Sequence, residues 1–354
     1  MMKKEKIHYN IDTIDKLGAN INIIYGERSN GKSYQVKHKK GVEKYLKTGK
    51  RFILLRRWKE EITTEKIEQY FADVDIAKLT NGMYNCITVY KKNLFLSKYD
   101  EETRKTKRGD KIGYVLALST EQNYAGASYL DVEDIIFEEF MSRNIYLPNE
   151  ANKLMNLYAT VDRKRLTTRL WMVGNTISRV CPYINDWDLH SIISSQKQGT
   201  IVTKEIIDSN DDKVIIAMEY CASTNQTSGT IGTNAKMINT GAWETKPQPH
   251  LPKSYNDYDV LFRFGFQYQS FKFLSEYLID KVERKNPIWF IRPYNKDFFN
   301  KTIVFSDVIK VSKYWQRDIY NITIKNDKLR NLFMTFRENK IFYSSDMCGT
   351  DFKQ

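Results

Sequence analysis

Asn20–Ser33 reads NINIIYGERSNGKS, an apolar run that breaks at a glycine and ends on a lysine and a hydroxyl. Asn20–Tyr25 has the character of a short buried strand, and Ser33–Leu46 behind it has helical spacing. Between them, Gly26-Glu27-Arg28-Ser29-Asn30-Gly31-Lys32-Ser33 is a complete GxxxxGK[ST]. A strand turning directly into a helix exposes successive backbone N–H groups to phosphate. Gly26 and Gly31 allow backbone angles and a close approach that a side chain would block, and Glu27, Arg28, Ser29 and Asn30 supply the rest of the cradle. Lys32 reaches the β- and γ-phosphates, the Ser33 hydroxyl ligates Mg²⁺, and the helix N-terminus adds positive potential. The stretch predicts a P-loop NTPase domain with ATP and Mg²⁺ as cofactors.

Working outward, Arg51–Leu55 (RFILL), Asp134–Phe137 (DIIF) and Leu170–Val173 (LWMV) read as further buried strands, and Glu150–Val161 as a crossover helix. Strands alternating with helices predict an α/β fold with a mostly parallel sheet. Cys86–Leu96 and Ile112–Leu118 read as a hairpin added to that sheet, flanking a charged insert from Tyr99 to Lys111. Arg104, Lys105, Lys107, Arg108 and Lys111 make the insert a solvated loop tip or a phosphate-contacting loop.

A P-loop needs carboxylates at a neighbouring strand end, and Ile135-Ile136-Phe137-Glu138-Glu139-Phe140 offers them. Glu138 is expected to hold the Mg²⁺ shell and Glu139 to activate the attacking water. Asn175, after the Leu170–Val173 strand, is a candidate γ-phosphate sensor or a plain turn residue. Arg163, and after it Arg165, are candidates for a guanidinium supplied in trans by a neighbouring subunit, or else a solvated basic turn. Arg56 and Arg57 end the second strand, where either could meet phosphate or DNA. His8, His38, His190 and His250 are scattered and receive no metal role.

The chain has 354 residues, favouring two domains, and 56 basic against 43 acidic residues give a net charge of +13. That excess points to a polyanionic partner, while 41% hydrophobic content excludes wholesale disorder. Cys86, Cys181, Cys221 and Cys348 form no CxxC pair, which fits a reducing cytoplasm, and no apolar run predicts secretion or a membrane span. The Thr/Asn/Gly/Pro-rich stretch from Asn225 to Ser254 reads as a connector. The expected division is a P-loop ATPase domain over 1–207, a linker region over 208–254 and a smaller α/β domain over 255–354. In the last, Val260, Phe262, Phe264, Phe266 and Tyr268 alternate with polar residues as a half-buried strand, its aromatic stripe packing the core rather than stacking bases.

These motifs resemble the genome-packaging ATPases of small tailed phages of the phi29 type, in the additional-strand catalytic glutamate (ASCE) class of P-loop NTPases. The resemblance rests on GERSNGKSY at Gly26–Tyr34, FILLRRW at Phe52–Trp58, IIFEEF at Ile135–Phe140, YLPNE at Tyr146–Glu150, NLYATVDRKR at Asn156–Arg165, and GNTIS with CPY at Gly174–Tyr183. It covers about the first 200 residues well and the rest by layout. It implies a homomeric ring, typically a pentamer, on the portal vertex of a procapsid in the host cytoplasm, driving double-stranded DNA inward with ATP. In such motors Lys32 and Ser33 match the Walker A pair, Glu138 and Glu139 the Walker B pair, and Arg163 the trans-acting arginine. Glu138 stands where the family usually has Asp, and the Tyr99–Lys111 insert is longer than the family leads one to expect.

The resemblance also implies an RNase H-like C-terminal domain. Its first strand offers Arg263, Gly265 and Gln267 on the non-aromatic face, with Asp257 and Asp259 only outside, so it is expected to be a vestigial nuclease without activity. It would contact DNA, the portal or a scaffold RNA through residues such as Lys272, Lys281, Arg284 and Lys285. The reading is therefore a DNA-translocating packaging ATPase. The alternatives are a packaging enzyme with an active nuclease, or a DNA-binding ring component switched by nucleotide and hydrolysing it weakly.

Overall fold

The computed structural model describes residues 9–143, 145–207, 212–224, 235–268, 271–299, 301–306, 314–316 and 326–353. It divides into two compact units, Met1–Tyr183 with Ser195–Trp243, and Ile184–Ser194 with Glu244–Gln354.

In the first unit the strands are β1 (Ile21–Gly26), β2 (Arg51–Arg56), β3 (Cys86–Tyr90), β4 (Asn93–Asp100), β5 (Lys105–Ala117), β6 (Val132–Glu138), β7 (Arg169–Asn175), β8 (Thr200–Ile207) and β9 (Lys213–Tyr220). They form one sheet in the order β3-β4-β5-β2-β6-β7-β1-β9-β8. From β5 to β9 the neighbours run parallel, and β3, β4 and β8 add antiparallel edges. The central strands are covered on both faces, so they read as continuous apolar runs: β1 is buried throughout, as are Phe52–Leu55 and Leu170–Gly174. Ile24, Phe52, Leu54, Ile136 and Trp171 share one core with Val36 and Val42 of the helix that follows the P-loop. That helix runs from Lys32 to Thr48 with a π-helical stretch at Lys37–Glu43, and Gly49 ends it in the left-handed region. The expected α/β fold with a mostly parallel sheet is what forms.

Three stretches differ from the sequence reading. Cys86–Leu96 is two strands, because Lys91 and Lys92 both take positive φ (45° and 62°) in a tight two-residue turn that carries none of the usual Asn-Gly signature. The charged insert is not a loop: β5 begins at Lys105 and pairs with β4 out to Asp100, making a projecting ribbon. Residues 213–220, assigned to the linker region, are β9 beside β1, with Ile216, Ala217 and Met218 buried. Composition downstream drew the connector too wide, and the short apolar run of β9 is the signal it hid. Trp243 also packs on the rings of Tyr25 and Tyr220 at 5.6 and 6.3 Å, keeping the described connector up to Trp243 in the first unit, while Glu244 onward belongs to the second.

The second unit holds a mixed sheet of β10 (Tyr258–Tyr268), β11 (Phe271–Asp280), β12 (Ile288–Pro293), β13 (Ile303–Ser306), β14 (Trp315–Gln316) and β15 (Phe342–Tyr343), in the order β14-β13-β10-β11-β12-β15. β10, β11 and β12 are antiparallel, whereas β13 runs parallel to β10, β14 to β13 and β15 to β12. The helix Asp327–Arg337 starts where the Asn326 side chain accepts from the backbone N–H groups of Lys328 and Leu329, both at 3.1 Å. The aromatic stripe of β10 packs inward: Phe264 stacks on Trp289 and Phe266 meets Phe305 and Phe352. β11 escaped the sequence reading because its central Leu274–Glu276 is buried on both faces and shows no alternation.

Candidate nucleotide site

The P-loop leaves β1 at Gly26 (φ 155°) and enters the helix at Gly31 (φ 95°), with Ser29 also left-handed at 63°. The Lys32 ammonium is buried on the loop itself. It donates to the Glu27 carbonyl, to Asn30 Oδ1 at 3.1 Å and to Asn175 Oδ1 at 3.5 Å. Burial pushes its pKa down, opposed by Cys221, Glu138 and Glu27. The Glu27 carboxylate is buried and turned to the residues after β9, accepting from Ser223 Oγ and Thr224 N, both at 2.7 Å, and from the Thr224 hydroxyl. It shapes the loop from beneath while its carbonyl faces Lys32. A cleft of about 450 Å³ opens here, lined by Arg28, Lys32, Ser33, Glu138, Glu139 and Asn175 among others.

Glu138 ends β6 almost fully buried and accepts two hydroxyl hydrogen bonds, from Ser33 Oγ at 2.9 Å and from Tyr70 OH at 2.6 Å. Burial raises its pKa and those two bonds work against the rise. Tyr70, on the helix Thr64–Phe71, is itself fixed by Lys37, whose ammonium donates to the Tyr70 carbonyl, lies 4.3 Å from its ring centroid and pairs with Asp73 at 2.5 Å. Glu139 sits one residue on with φ at 57°, which turns its exposed carboxylate toward Arg56 Nη2 at 3.0 Å. Arg57 is held otherwise. Its buried guanidinium pairs with the buried Glu150 carboxylate at 2.9 and 3.0 Å and donates to the carbonyls of Glu139 at 3.1 Å and Phe140 at 2.6 Å. Leu147 N and Tyr183 OH complete the donors around Glu150, at 2.7 and 2.5 Å. Arg57 therefore clamps the loop that carries Glu139 and is not available to phosphate or DNA.

Sequence and fold together bring Lys32, Ser33, Glu138, Glu139 and Asn175 to one edge of the sheet, as expected for ligands of an open α/β sheet. The two basic candidates after the helix Glu150–Asp162 lie elsewhere. Asp162 accepts from Thr168 N, just before β7, so Arg163 stands at the start of β7 while Lys32 stands at its end, roughly 20 Å away at 3.3 Å per residue. Arg163 is exposed and donates to the Ala127 carbonyl at 2.7 Å. The Arg165 guanidinium is spent on the backbone carbonyls of Asp162, Leu130, Val132 and Val161 at 2.7–3.0 Å. That geometry makes Arg165 a scaffold contact and corrects its candidacy as a reacting guanidinium.

The residues present fit a nucleotide with Mg²⁺. Ser33 and Glu138 converge two hard oxygen donors, and Asn30 Nδ2 is a buried donor beside the loop with no hydrogen-bond partner among the described residues. Tyr70, Lys37 and Glu150 escaped the sequence reading, since each meets its partner only through the fold. No helix among the described residues is long and apolar enough to cross a membrane.

The family model described as Podovirus DNA encapsidation protein (Gp16) matches residues 2–215. The chain is 31% identical over 171 residues to the DNA packaging protein of Bacillus phage B103 (46% of each chain), and 29% identical over 182 residues to that of Bacillus phage phi29 (51% of this chain and 49% of that one). It spans about half the length of these packaging proteins. A solved chain described as the bacteriophage Phi-29 viral genome packaging motor assembly matches with a TM-score of 0.59 at 20% identity, covering 96% of both chains, a likeness of fold along the whole length. With well over half of its residues, the P-loop and the β6 carboxylates inside the matched region, this chain belongs to the Podovirus DNA encapsidation protein (Gp16) family.

Proposed function

We propose that this chain is the ATP-hydrolysing motor subunit that moves double-stranded DNA into a procapsid. The observation that carries the reading is the Ser33–Glu138 contact at 2.9 Å, with Glu139 at the next position and Lys32 buried in the loop below. In this reading the P-loop N–H groups and Lys32 bind the phosphates, and Ser33 with Glu138 would hold Mg²⁺. Bound Mg²⁺ would supply charge neutralisation at the β- and γ-phosphate oxygens. Glu139 takes a proton from the attacking water, Arg56 sets the direction of its carboxylate, and Asn175, 3.5 Å from the Lys32 ammonium, senses the γ-phosphate. Arg163, remote from its own P-loop, serves the site of a neighbouring subunit in a homomeric ring, which the resemblance makes a pentamer.

The motor acts in the host cytoplasm at the portal vertex, with double-stranded DNA, the portal protein and, as the resemblance implies, a scaffold RNA as partners. The +13 charge, repeated around a ring, suits a sequence-independent grip on phosphate. Nuclease chemistry is no part of the proposal. The buried Glu276 of β11 has its oxygens taken by Arg263 at 2.7 Å, Arg292 at 2.9 Å and Tyr255 at 2.8 Å, leaving no free carboxylate edge for metals.

The test is steady-state ATP hydrolysis with and without duplex DNA, at varied protein concentration, for wild type, Glu139→Gln and Arg163→Ala. The reading expects turnover that rises with DNA and assembly, loss in Glu139→Gln, and recovery of Arg163→Ala when it is mixed with Lys32→Ala subunits. Negligible turnover in the assembled, DNA-bound state would replace the motor with a nucleotide-switched ring component.

A further inference from the structure

The β4–β5 ribbon takes no part in the nucleotide site. Lys105–Asp110 of β5 are exposed on both faces, and beyond Ser97 β4 is their sole strand partner among the described residues, since β2 pairs with β5 only from Gly113. The extension projects about 20 Å at 3.3 Å per residue. Tyr99 is its one large apolar side chain, and it is exposed. Ordering such backbone costs roughly 1–2 kcal/mol per residue, and an isolated two-stranded ribbon offers little burial in return.

The direction of the ribbon is nonetheless fixed at its base. Gly109 lies so close to the Tyr84 ring that any side chain there would collide with it, and Tyr84 OH donates to Asp110 Oδ2 at 3.3 Å. The register sets Lys98 directly opposite Lys107 and Asp100 opposite Lys105, so all three lysines share one face. Like charges directly opposite destabilise a ribbon by themselves. Arg104, Lys105 and Lys107 join no ion pair among the described residues. The Asp100 carboxylate is turned to the tip, where it accepts from the N–H groups of Glu102 at 2.9 Å and Thr103 at 3.0 Å. Glu101 and Glu102 sit in that tip, beyond the lysines. On the opposite face Arg108 lies 4.3 Å over the Tyr90 ring.

We propose that Lys105 and Lys107, on the face where the Lys98 ammonium is turned to the Gly82 carbonyl at 2.7 Å, are a contact for the phosphate backbone of double-stranded DNA, an inference that rests on the packaging reading above. Lysines on an outer edge also discourage strand pairing, but that role needs no ribbon reaching past the sheet. A polyanion resolves what the fold leaves unfavourable: it neutralises the opposed lysines and adds contacts to a segment that buries nothing. Side-chain contact to phosphate is independent of sequence, which suits cargo of any composition.

The experiment measures binding of a fluorescent duplex by anisotropy across a salt series, for wild type, Lys105→Ala/Lys107→Ala and the charge-keeping Lys105→Arg/Lys107→Arg. Each lost phosphate contact removes about 0.9 from the slope of log K against log salt, so the alanine pair should be shallower by about 1.8 and the arginine pair unchanged. An alanine pair with the wild-type slope overturns the inference alone. Loss confined to a structured RNA, with duplex binding intact, also overturns it. Wild type that shows no salt-dependent duplex binding overturns the packaging reading together with the inference.

Discussion

Replacing Arg57 by methionine should cost about 3–5 kcal/mol, because it leaves the Glu150 carboxylate charged in a fully buried place. The guanidinium shares its Nε–H between both oxygens of that carboxylate and makes two bonds to the carbonyls of Glu139 and Phe140, and among the described residues only Leu147 N and Tyr183 OH remain afterwards to hold Glu150. Much of the cost is the stranded charge, not the net worth of the pair, so it should shrink when the charge goes too. Arg57→Met with Glu150→Gln keeps an amide oxygen to accept from Leu147 N and turns the amide NH₂ to donate to the Tyr183 hydroxyl oxygen, and should lose no more than about 2 kcal/mol, allowing for the two carbonyls left without a partner. Urea unfolding of the full chain, followed by circular dichroism and tryptophan fluorescence, gives both values from shifts of midpoint at constant m. The double variant should thus be more stable than the single one. A single variant within about 1 kcal/mol of wild type, or a double variant that simply adds the two single losses, would refute the buried-clamp argument.

Three further outcomes follow from the geometry. Tyr70→Phe keeps the ring but removes a hydrogen bond to a buried carboxylate, worth about 1.5 kcal/mol or more, so half-saturation of fluorescent ATP binding should need roughly tenfold more Mg²⁺; an unchanged Mg²⁺ requirement would show that Tyr70 only packs. Arg165→Ala should destabilise the first unit by about 3 kcal/mol, read from its lowered urea midpoint, while hydrolysis per folded subunit stays intact, in contrast to Arg163→Ala. Burial pushes the Glu276 carboxyl up, but Arg292, Arg263 and Tyr255 outweigh it and hold it below its ordinary 4.5. Its contribution is present above that value and lost as pH falls through the lowered folded one, so Glu276→Gln should flatten the acid limb of the second unit's stability curve, and an unaltered limb would count against it.

What could be read in the sequence was local. The P-loop, its strand and its helix occupy one continuous segment, and Glu138-Glu139 announce themselves by ending an apolar run. Asn175 was legible for the same reason. What escaped was set by tertiary neighbours. Nothing in TEKIEQYF marks Tyr70 as the partner of a carboxylate on another strand, and Arg56 and Arg57 are adjacent yet one meets Glu139 while the other is buried on Glu150. Alternation in a strand puts consecutive side chains on opposite faces, and only the sheet order decides what each face meets. Arg163 and Arg165 illustrate the same limit: alike in sequence, one is exposed and the other is consumed by carbonyls.

The turn that carries Arg163 has three non-glycine residues in the left-handed region, Arg163, Lys164 and Leu166 at 47°, 62° and 58°. Such backbone costs on the order of 1 kcal/mol or more per residue, and here the subunit itself meets the cost: Asp162 accepts from Leu166 N and Thr168 N, both at 3.0 Å, and Arg165 ties the turn to β6. The turn is thus shaped before any neighbour arrives. In the ring proposed above, docking of this corner would forfeit little conformational freedom, so even a small contact area could hold adjacent subunits in register and still let them part and re-engage in each proposed cycle.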